Sequence, residues 1–412
     1  MLSAKKAIKL TLDDFRPLRA EKLQIEAALA RVTSEDVTSK KTIPKFDNAS
    51  MDGFAVRHAD IKSAGNNNKV SLNIIGESRC GVPFEGALKK NTAIRIMTGA
   101  ILPNSADTVI KQEDVTLSAD SVLISASVKK NNYVRFAGED IKKGQTVLKK
   151  GSTISPADIG VLASIRHREV KVYKRPTVAI LSTGDEITTL DDKSPGDNII
   201  ASNMYSLAAQ IRDSGCKPVL LGIVKDDKKA LKKKLSDALK KKYDILITTG
   251  GISVGDYDFV REILLELGCK NLVHKVAMRP GKPFSFFTNS VTKIFALPGN
   301  PVSCLVSFEL FVRPAIKKMQ GLTTIFPRKL DAILMNNLKK IKGYNYFIRA
   351  IIKKTKSGYT AKPTGTQSSG VLMSMSRANG LIVAESKRET IEKGETVNVI
   401  VLDASFDDTK TF

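Results

Sequence analysis

The chain is poor in the residues that build zinc sites, disulfide frameworks and membrane spans. It has no tryptophan, three histidines and four cysteines in 412 residues, and no two cysteines form a C-x-x-C pair. We therefore expect any metal to be held by oxygen ligands. No apolar run approaches the roughly 20 residues of a membrane helix. The N-terminus also lacks the apolar segment of a signal peptide, so we expect a cytoplasmic protein.

Acidic residues are outnumbered, and the formal net charge is +24. The densest basic cluster reads DDKKALKKKLSDALKKK, in which Leu231, Leu235 and Leu239 recur at helical spacing. Its lysines then fill the solvated face of an amphipathic helix, and no aromatic residues interleave with them to stack bases. We do not expect nucleic-acid binding, although a basic chain attracts small anions.

The central part of the chain has the most regular pattern. Between Arg175 and Gly321, short apolar runs alternate with amphipathic helical stretches. The predicted strands read PTVAIL, KPVLLGIV, YDILIT and KIFAL. Besides the Lys-rich helix, the predicted helices read SNMYSLAAQIRDSG, DFVREILLELG and PVSCLVSFELFVRPAIKKM. This alternation is typical of a doubly wound parallel sheet.

The flanking regions differ from this pattern. A short helical opening is predicted over about 11–31, short alternating strands follow, and a helix is predicted with Pro156 in its first turn. Since 412 residues exceed one compact core, we expect several domains. We predict a discontinuous linking α+β domain (1–31 with 143–175), a β-rich domain (32–142), an α/β domain (176–326) and a small C-terminal β domain (327–412).

The turns that follow the predicted parallel strands carry glycines and carboxylates. They read STGDEI, VKDD, TTGGISVGDYD and LPGNP. The carboxyl ends of parallel strands meet at one edge of a sheet, where ligands bind. Glycines let backbone N–H groups approach a phosphate, and a hard cation such as Mg²⁺ would reconcile a phosphate with the carboxylates. Ordinary loops, or helix caps at Asp256 and Asp258, remain the alternative.

A basic segment, HKVAMRPGKPFSF, places Lys275, Arg279 and Lys282 among prolines and a glycine. Cations on a stiff turn suit a small oxyanion, whereas a merely basic loop is the alternative. Upstream, polar residues stand beside glycine in SMDG, MTGA and GED; taken alone, these segments could be simple turns.

These segments together resemble the MoeA-type molybdopterin molybdenumtransferase family, which includes the E domain of gephyrin. The similar blocks occur in order along essentially the whole chain: FDNASMDGFAV, MTGAILP, RFAGEDI, GVLAS, RPTVAILSTGDEI, TTGGISVGDYD, AMRPGKP and LPGNPVS. A small C-terminal β domain completes the pattern, and the ordered set is far more specific than any single block.

The resemblance implies a fold and a reaction. The fold is a multidomain α/β plus β homodimer whose central sheet is MogA-like, with a linking and dimerising α+β domain and a C-terminal β-barrel-like domain. The reaction inserts molybdate into adenylylated molybdopterin and releases AMP with Mg²⁺. The pathway adenylyltransferase and molybdoenzyme chaperones are implied as protein partners.

The resemblance also assigns roles to residues of this sequence. It implies catalytic roles for Asp52, Thr98, Asp140, Glu186, Asp226 and Asp258, of which Glu186, Asp226 and Asp258 would bind the metal. The first three would reach the partner subunit's cleft. The residues implied in binding the pterin, nucleotide and molybdate are Gly250, Gly251, Ser253, Gly255, Lys275, Arg279, Lys282, Pro298, Gly299, Asn300, Arg349 and Ser369.

Three positions depart from the family pattern, and two other functions compete. Arg166 stands where a glycine is usual, Ala201 where an aspartate is frequent, and Arg279 where a lysine is frequent. A molybdopterin adenylyltransferase would share the α/β domain but lack the SMDG and GED blocks and the C-terminal domain. A non-catalytic scaffold on the same fold would tolerate eroded site carboxylates. Molybdate and tungstate, both tetrahedral dianions, are not distinguished by the sequence.

Overall fold

The computed structural model describes residues 1–193, 196–251, 259–403 and 405, which form two compact units. Unit 1 comprises Met1–Glu21, Ala30–Ser34 and Val172–Phe412, and unit 2 comprises Lys22–Leu29 and Glu35–Lys171. This division does not test the four predicted domains, which stay a prediction. Within the described ranges, none of the helices is both long and apolar enough to cross a membrane.

The centre of unit 1 is a six-stranded sheet. Its strand order is Pro218–Val224, Val178–Thr183, Ile245–Thr249, Lys293–Leu297, Ser285–Thr288 and Lys270–His274. The first four strands are parallel, as the alternating sequence predicts. In register, Ile180 pairs with Ile247, and Ile247 with Phe295. The last two strands are antiparallel, and the sequence pattern did not predict them because Pro and Gly interrupt the segment between them.

Helices cover both faces of this sheet. One face packs Ile180, Ile247 and Phe295 into a large apolar core, while Leu181 and Leu246 pack into a second core on the opposite face. Alternate residues of a strand point to opposite faces, so both sides of the sheet are buried. The helices of this part are Ser202–Asp213, Lys228–Lys240, Phe259–Glu266, Pro301–Ser307 and Arg313–Met319. The last two are joined by a π-helical turn, Phe308–Val312, inside what the sequence predicts as one helix.

The C-terminal part of unit 1 is a closed β-barrel. Strand Asn345–Thr355 pairs with Gly358–Pro363 on one side and with Gly380–Ala384 on the other. The ring is completed through Lys329–Leu334 and Thr396–Val401. Two further strands extend this sheet, since Val276–Arg279 pairs in parallel with Asn345–Thr355 and with Leu2–Ser3. Shorter elements are Ile187–Thr188, Ile199–Ile200, Leu338–Lys339, Thr390–Ile391 and the helix Leu372–Ser376.

The predicted helical opening over about 11–31 is wrong in position. The first helix is Ala4–Asp13, capped by the Ser3 hydroxyl, which accepts a hydrogen bond from the Lys6 N–H (3.3 Å). Ala7 and Leu12 pack into the core of unit 1. Pro17 follows soon after the end of the helix, and the residue that precedes a proline rarely adopts helical backbone angles. The chain then forms the strand Ala20–Gln24.

Unit 2 is rich in β-structure, as predicted. Its main sheet has the order Thr108–Lys111, Gly53–Val56, Thr92–Ile96, Val70–Ser78, Ser121–Ile124 and Val115–Ser118. Its other elements are Ile25–Ala27, Val37–Thr38, Asn48–Ala49, His58–Ile61, Gln112–Asp114, Val134–Arg135, Thr146–Leu148 and Pro156–Ser164; the strand Glu169–Tyr173 begins there. The predicted helix at Pro156 is confirmed, with Ser155 and Asp158 forming a reciprocal cap.

Candidate functional site

The parallel strands of unit 1 end beside a cavity of about 440 Å³. Turns that follow four strands contribute to its lining, as expected for the carboxyl edge of a parallel sheet. Predicted site residues in the lining are Glu186, Asp226, Gly250, Gly251, Pro298, Gly299 and Asn300. The predicted residues Ser253, Gly255 and Asp258 lie outside the described residues. We call this cavity the crevice.

Two adjacent glycines shape the floor of the crevice. Gly250 and Gly251 have φ angles of +88° and +62°, which favour glycine. A Cβ at Gly250 would overlap the carbonyl oxygen of Thr183, and one at Gly251 would lie 2.9 Å from the Thr183 hydroxyl oxygen. The two glycines therefore let their turn pack closely against Thr183. The Gly299 turn also lies beside them, since a Cβ built at Gly299 would be 3.7 Å from the Cα of Gly250.

Carboxylates gather on one side of the crevice. The N–H of Asp226 donates to Oδ1 of Asp185 (3.1 Å). Burial raises the pKa of Asp226, and the negative charges of Asp185 and Glu186 raise it further. Gly184 lets the Glu186 carboxylate fold close to the backbone, because a Cβ there would lie 2.6 Å from Glu186 Oε2. Asp227 is a helix cap instead, accepting from the Ala230 N–H (2.6 Å).

This carboxylate group is suited to a hard cation. Oxygen ligands of this type, completed by phosphate oxygens and water, are what Mg²⁺ prefers. Within the described ranges, no three His, Cys, Asp or Glu side chains lie close enough to hold a metal by themselves. A cation at Asp226 and Glu186 would therefore need further ligands from a bound phosphate.

Helix Ser202–Asp213 begins at the crevice. Its N-cap residue is Ala201, which offers no side-chain cap for the first N–H groups of the helix. The Asn203 side chain lines the crevice and donates from Nδ2 to the Gly299 carbonyl oxygen (2.6 Å). Its Oδ1 is buried without a hydrogen-bond partner within the described ranges. Asn203 was not among the predicted site residues, although it stands at the start of a predicted helix that follows a strand.

A second cavity of about 340 Å³ adjoins the crevice, and Pro283 and Asn300 line both. It brings together residues that are distant in sequence: the basic segment around Arg279 and the C-terminal barrel. Predicted site residues in its lining are Arg279, Lys282, Asn300, Arg349 and Ser369. The N–H of Val302 donates to the Ser369 carbonyl oxygen (3.1 Å), which holds the barrel loop against the helix that follows Asn300.

Arg349 is a buried cation without a carboxylate partner in the part of the chain that the structure describes. Its exposed fraction is 1%. Its guanidinium donates to neutral oxygens only: the Ser374 hydroxyl (3.2 Å), the Ser368 carbonyl (2.9 Å) and the Thr366 carbonyl (3.4 Å). Burial lowers its pKa to about 10, so it remains protonated at neutral pH. An uncompensated buried charge strongly favours an anion beside it.

Comparisons with known proteins match nearly the whole length of the chain. Residues 2–165 match the MoeA N-terminal region (domain I and II), residues 179–318 a probable molybdopterin binding domain, and residues 331–402 the MoeA C-terminal region (domain IV). A Staphylococcus aureus protein named molybdopterin molybdenumtransferase is 34% identical over 98% of this chain and 96% of its own length. The chain belongs to the MoeA family.

Other relatives support the assignment of this chain to the MoeA family. A Haemophilus influenzae protein with the same name is 36% identical, covering 95% of this chain and 98% of its own. A solved structure titled molybdopterin biosynthesis MoeA protein, from Pyrococcus horikoshii, has a TM-score of 0.85 at 30% identity, covering 98% of this chain and 99% of its own. The predicted fold class, an α/β domain with β-rich N-terminal and barrel-like C-terminal parts, is thereby confirmed.

Lys275 is separated from the second cavity of this MoeA-family protein, the cavity lined by Arg279 and Arg349. It directly precedes strand Val276–Arg279, whereas Arg279 ends it, so about 13 Å of extended chain separates their Cα atoms. Lys275 lines neither cavity. Its φ is +56°, at the point where the chain leaves one sheet for the other. A molybdate-binding role for Lys275 stays a prediction without geometric support.

In unit 2, Asp52 and Thr98 form a hydrogen-bonded pair. Oδ1 of Asp52 accepts from both the hydroxyl and the N–H of Thr98 at 2.6 Å. These bonds, the hydroxyl first, lower the pKa of Asp52, and the charge of Arg95 adds to the effect. Asp140 is exposed, and its N–H donates to the Ile43 carbonyl (3.2 Å), so it belongs to a different turn of unit 2.

Removing the Thr98 hydroxyl should raise the pKa of Asp52 toward its ordinary value of 3.8. Thr98→Val removes the hydroxyl hydrogen bond, which lowers the pKa of Asp52 more than the N–H bond does, and it keeps the N–H bond. A carboxyl with a lowered pKa stabilises the fold above its unfolded pKa, and this stabilisation is lost as pH falls through the folded pKa. The variant should therefore lose stability at neutral pH and show a smaller loss of stability between pH 5 and pH 2. A ¹³C NMR titration of the Asp52 carboxyl measures the shift. Thr92→Val is the control, and an unchanged Asp52 titration in Thr98→Val contradicts the assignment.

Proposed function

We propose that this protein is a molybdenum insertase, which transfers molybdate to adenylylated molybdopterin and releases AMP. Its relatives named molybdopterin molybdenumtransferase match it over nearly its whole length. The observation that carries the proposal is the pair of adjoining cavities in unit 1. One combines glycine-rich turns with carboxylates, and the other holds three cationic residues. Together they suit one substrate with phosphates and a second that is a small dianion.

The crevice would bind the phosphate-linked pterin and nucleotide. The uncapped N-terminus of helix Ser202–Asp213 and the backbone of Gly250 and Gly251 offer N–H groups to an anion. Asn203 would position Gly299 through its hydrogen bond. These groups bind and orient the substrate, and they do not change its covalent structure.

Asp226 and Glu186 fit Mg²⁺, with Asp258 as a further ligand predicted from the sequence. Burial and then the negative charges of Asp185 and Glu186 raise the pKa of Asp226, and a bound cation would oppose both effects by favouring the ionised carboxylate. The bound cation would supply charge neutralisation for the phosphate bridge to AMP. The contribution of the chain is to place the carboxylates of Glu186 and Asp226 in the lining of the crevice before the substrate arrives.

The second cavity would hold molybdate. Arg349 provides a fixed charge, and Arg279 and Lys282 add two more cations to the lining. Arg279 is positioned by the Tyr344 ring, 4.9 Å from its guanidinium carbon. Ser369 adds a hydroxyl donor. Molybdate held there adjoins the crevice, where the dithiolene of the pterin would receive the metal. Electrostatic positioning is then the main catalytic effect.

Asp52, Thr98 and Asp140 are proposed to complete the cleft of a partner subunit, as the family resemblance implies. The ionised state of Asp52, favoured by its two hydrogen bonds, is consistent with a polar or cationic target. The homodimer, the cytoplasmic location, and the pathway adenylyltransferase and molybdoenzyme chaperones as protein partners remain proposals on the same basis.

The main alternative is an adenylyltransferase of the same pathway. Arg349, Gln367 and Ser369 belong to the C-terminal barrel and line the second cavity. A lone α/β domain lacks these residues, so the cavity favours the insertase. A non-catalytic scaffold is disfavoured because the site carboxylates are not eroded: Glu186 and Asp226 both line the crevice.

The decisive experiment incubates the protein with adenylylated molybdopterin and Mg²⁺, with and without molybdate. We expect AMP release to depend on molybdate and the product to contain molybdenum. AMP release that is insensitive to molybdate would exclude an insertase. Formation of adenylylated molybdopterin from ATP and molybdopterin would instead favour the adenylyltransferase. Replacing molybdate with tungstate in the same assay decides which anion is preferred.

A further inference from the structure

A separate basic cavity lies in unit 2. It has a volume of about 390 Å³ and is lined by Lys40, Lys41, Arg166 and Arg168, with Glu169 as the one carboxylate in its lining. Within the described ranges, none of the four cations forms an ion pair. The Glu169 carboxylate accepts a hydrogen bond from Gln24 Nε2 (3.0 Å). The lining thus has a formal charge of +3, because Glu169 offsets only one of its four positive charges.

One wall of this cavity is a strained helix end. Helix Pro156–Ser164 ends with the Arg166 N–H donating to the Ala163 carbonyl (2.9 Å) and the His167 N–H donating to the Leu162 carbonyl (2.8 Å). This pattern requires a left-handed residue, and Arg166 has a φ of +57°. Glycine adopts that backbone without strain, whereas a residue with a Cβ does not. Local backbone preference therefore gives no reason for an arginine here.

A loop that contains Lys40 and Lys41 forms another part of the lining, and hydrogen bonds hold its backbone in place. The Ser39 hydroxyl donates to the Lys41 carbonyl (2.7 Å) and accepts from the Lys41 N–H (3.1 Å). The backbone of Ser39 is bonded on both sides, to Gln145 (2.9 Å) and Gly144 (2.8 Å). Lys40 and Lys41 therefore extend from a backbone that is held in place. A helix C-terminus alone attracts cations, but it does not account for lysines on a second, independent element.

We propose that this cavity binds a phosphate chain, either inorganic polyphosphate or the phosphates of a nucleotide. Two guanidinium groups offer planar forks for phosphate oxygens, and two lysines add point charges. Several cations on two fixed elements match a ligand with several negative charges better than a single dianion. The volume lies in the range of small-ligand sites, about 300–1,000 Å³. The buried Ile165 side chain forms an apolar part of the lining.

The structure offers a variant that removes a cation without endangering the fold. Arg166→Gly deletes the guanidinium and relieves the strained backbone, so its melting temperature should rise. We expect its affinity for inorganic pyrophosphate to fall at least tenfold, measured by isothermal titration calorimetry at 150 mM salt. Lys90→Gln removes the same charge from an exposed site of unit 2 outside the cavity, and it should bind pyrophosphate like the unaltered protein.

The remaining titrations identify the ligand or overturn the proposal. ATP binding more tightly than inorganic triphosphate indicates a nucleotide site, and equal affinities indicate a site for the phosphate chain alone. Equal pyrophosphate affinity in Arg166→Gly and the unaltered protein would refute the site. An equal loss in Lys90→Gln would show that only net charge matters. Binding of long RNA or heparin without binding of pyrophosphate or ATP would also refute it, since the surface would then recognise a macromolecule.

Discussion

Replacing Arg349 with glutamine should raise the molybdate concentration that half-saturates AMP release by about 100-fold. Truncating a buried charged partner costs about 2–5 kcal/mol, and about 2.7 kcal/mol corresponds to 100-fold. Glutamine retains hydrogen-bonding groups near Ser368 and Ser374 but no charge. AMP release at saturating molybdate should change much less than the half-saturating concentration. Steady-state AMP release over a molybdate titration measures both values.

The same variant should not be less stable than the unaltered protein without molybdate. Arg349 is fully buried and has neutral partners only, so its charge is a cost to the free fold. Arg377→Gln is the matched control, because Arg377 is an exposed residue of the same barrel that lines neither cavity. An unchanged molybdate requirement in Arg349→Gln, or an equal shift in the control, would remove Arg349 from the molybdate site.

Replacing Asp226 with asparagine should lower Mg²⁺-dependent AMP release about 100-fold or more while raising the melting temperature at neutral pH. Loss of one preorganised charged group at a reacting centre typically costs 10²–10³ in rate. The stability effect follows from the raised pKa of Asp226, because burial and the neighbouring charges of Asp185 and Glu186 oppose ionisation of this carboxyl in the folded protein. The wild-type fold is favoured most below the unfolded pKa and loses stability as pH rises through the folded pKa.

The stability difference between the two proteins should therefore be absent near pH 3, grow as the pH rises from the unfolded pKa through the folded pKa of Asp226, and be constant above it. Thermal melts from pH 3 to pH 8 without divalent cations measure it, and added Mg²⁺ should stabilise the wild type more than the variant. Asp227→Ala is a control of opposite sign, since the Asp227 carboxylate caps helix Lys228–Lys240 and alanine removes the cap, which should destabilise the protein. A destabilised Asp226→Asn variant would contradict the repulsion inferred here.

The crevice could be predicted because one local rule governs it. Glu186, Asp226 and Gly250 are distant in sequence, but each directly follows a parallel strand, and the ends of such strands meet. The alternating pattern that identified the strands thus also predicted which turns converge. Asn203 was missed because its role depends on a hydrogen bond to Gly299, which no periodicity reveals.

The second cavity could not be derived in the same way. The family resemblance, rather than any pattern in the residues, pointed to Arg349. Its burial depends on the barrel closing around strand Asn345–Thr355 and on the loop through Ser368 folding over it. Likewise, Lys275 and Arg279 share one basic segment, yet an intervening strand separates them. Spacing along the chain was a poor guide where a segment passes between sheets.

Strand Val276–Arg279 also limits how this protein can be divided. The strand before it, Lys270–His274, belongs to the six-stranded sheet, while Val276–Arg279 itself is paired with the barrel and with residues 2–3 at the N-terminus. A truncation that removes the barrel would leave one edge of this strand unpaired and expose apolar surface of the adjoining core. The α/β domain and the barrel are therefore not interchangeable modules. Recombination between homologues should place its crossover points outside residues 270–355.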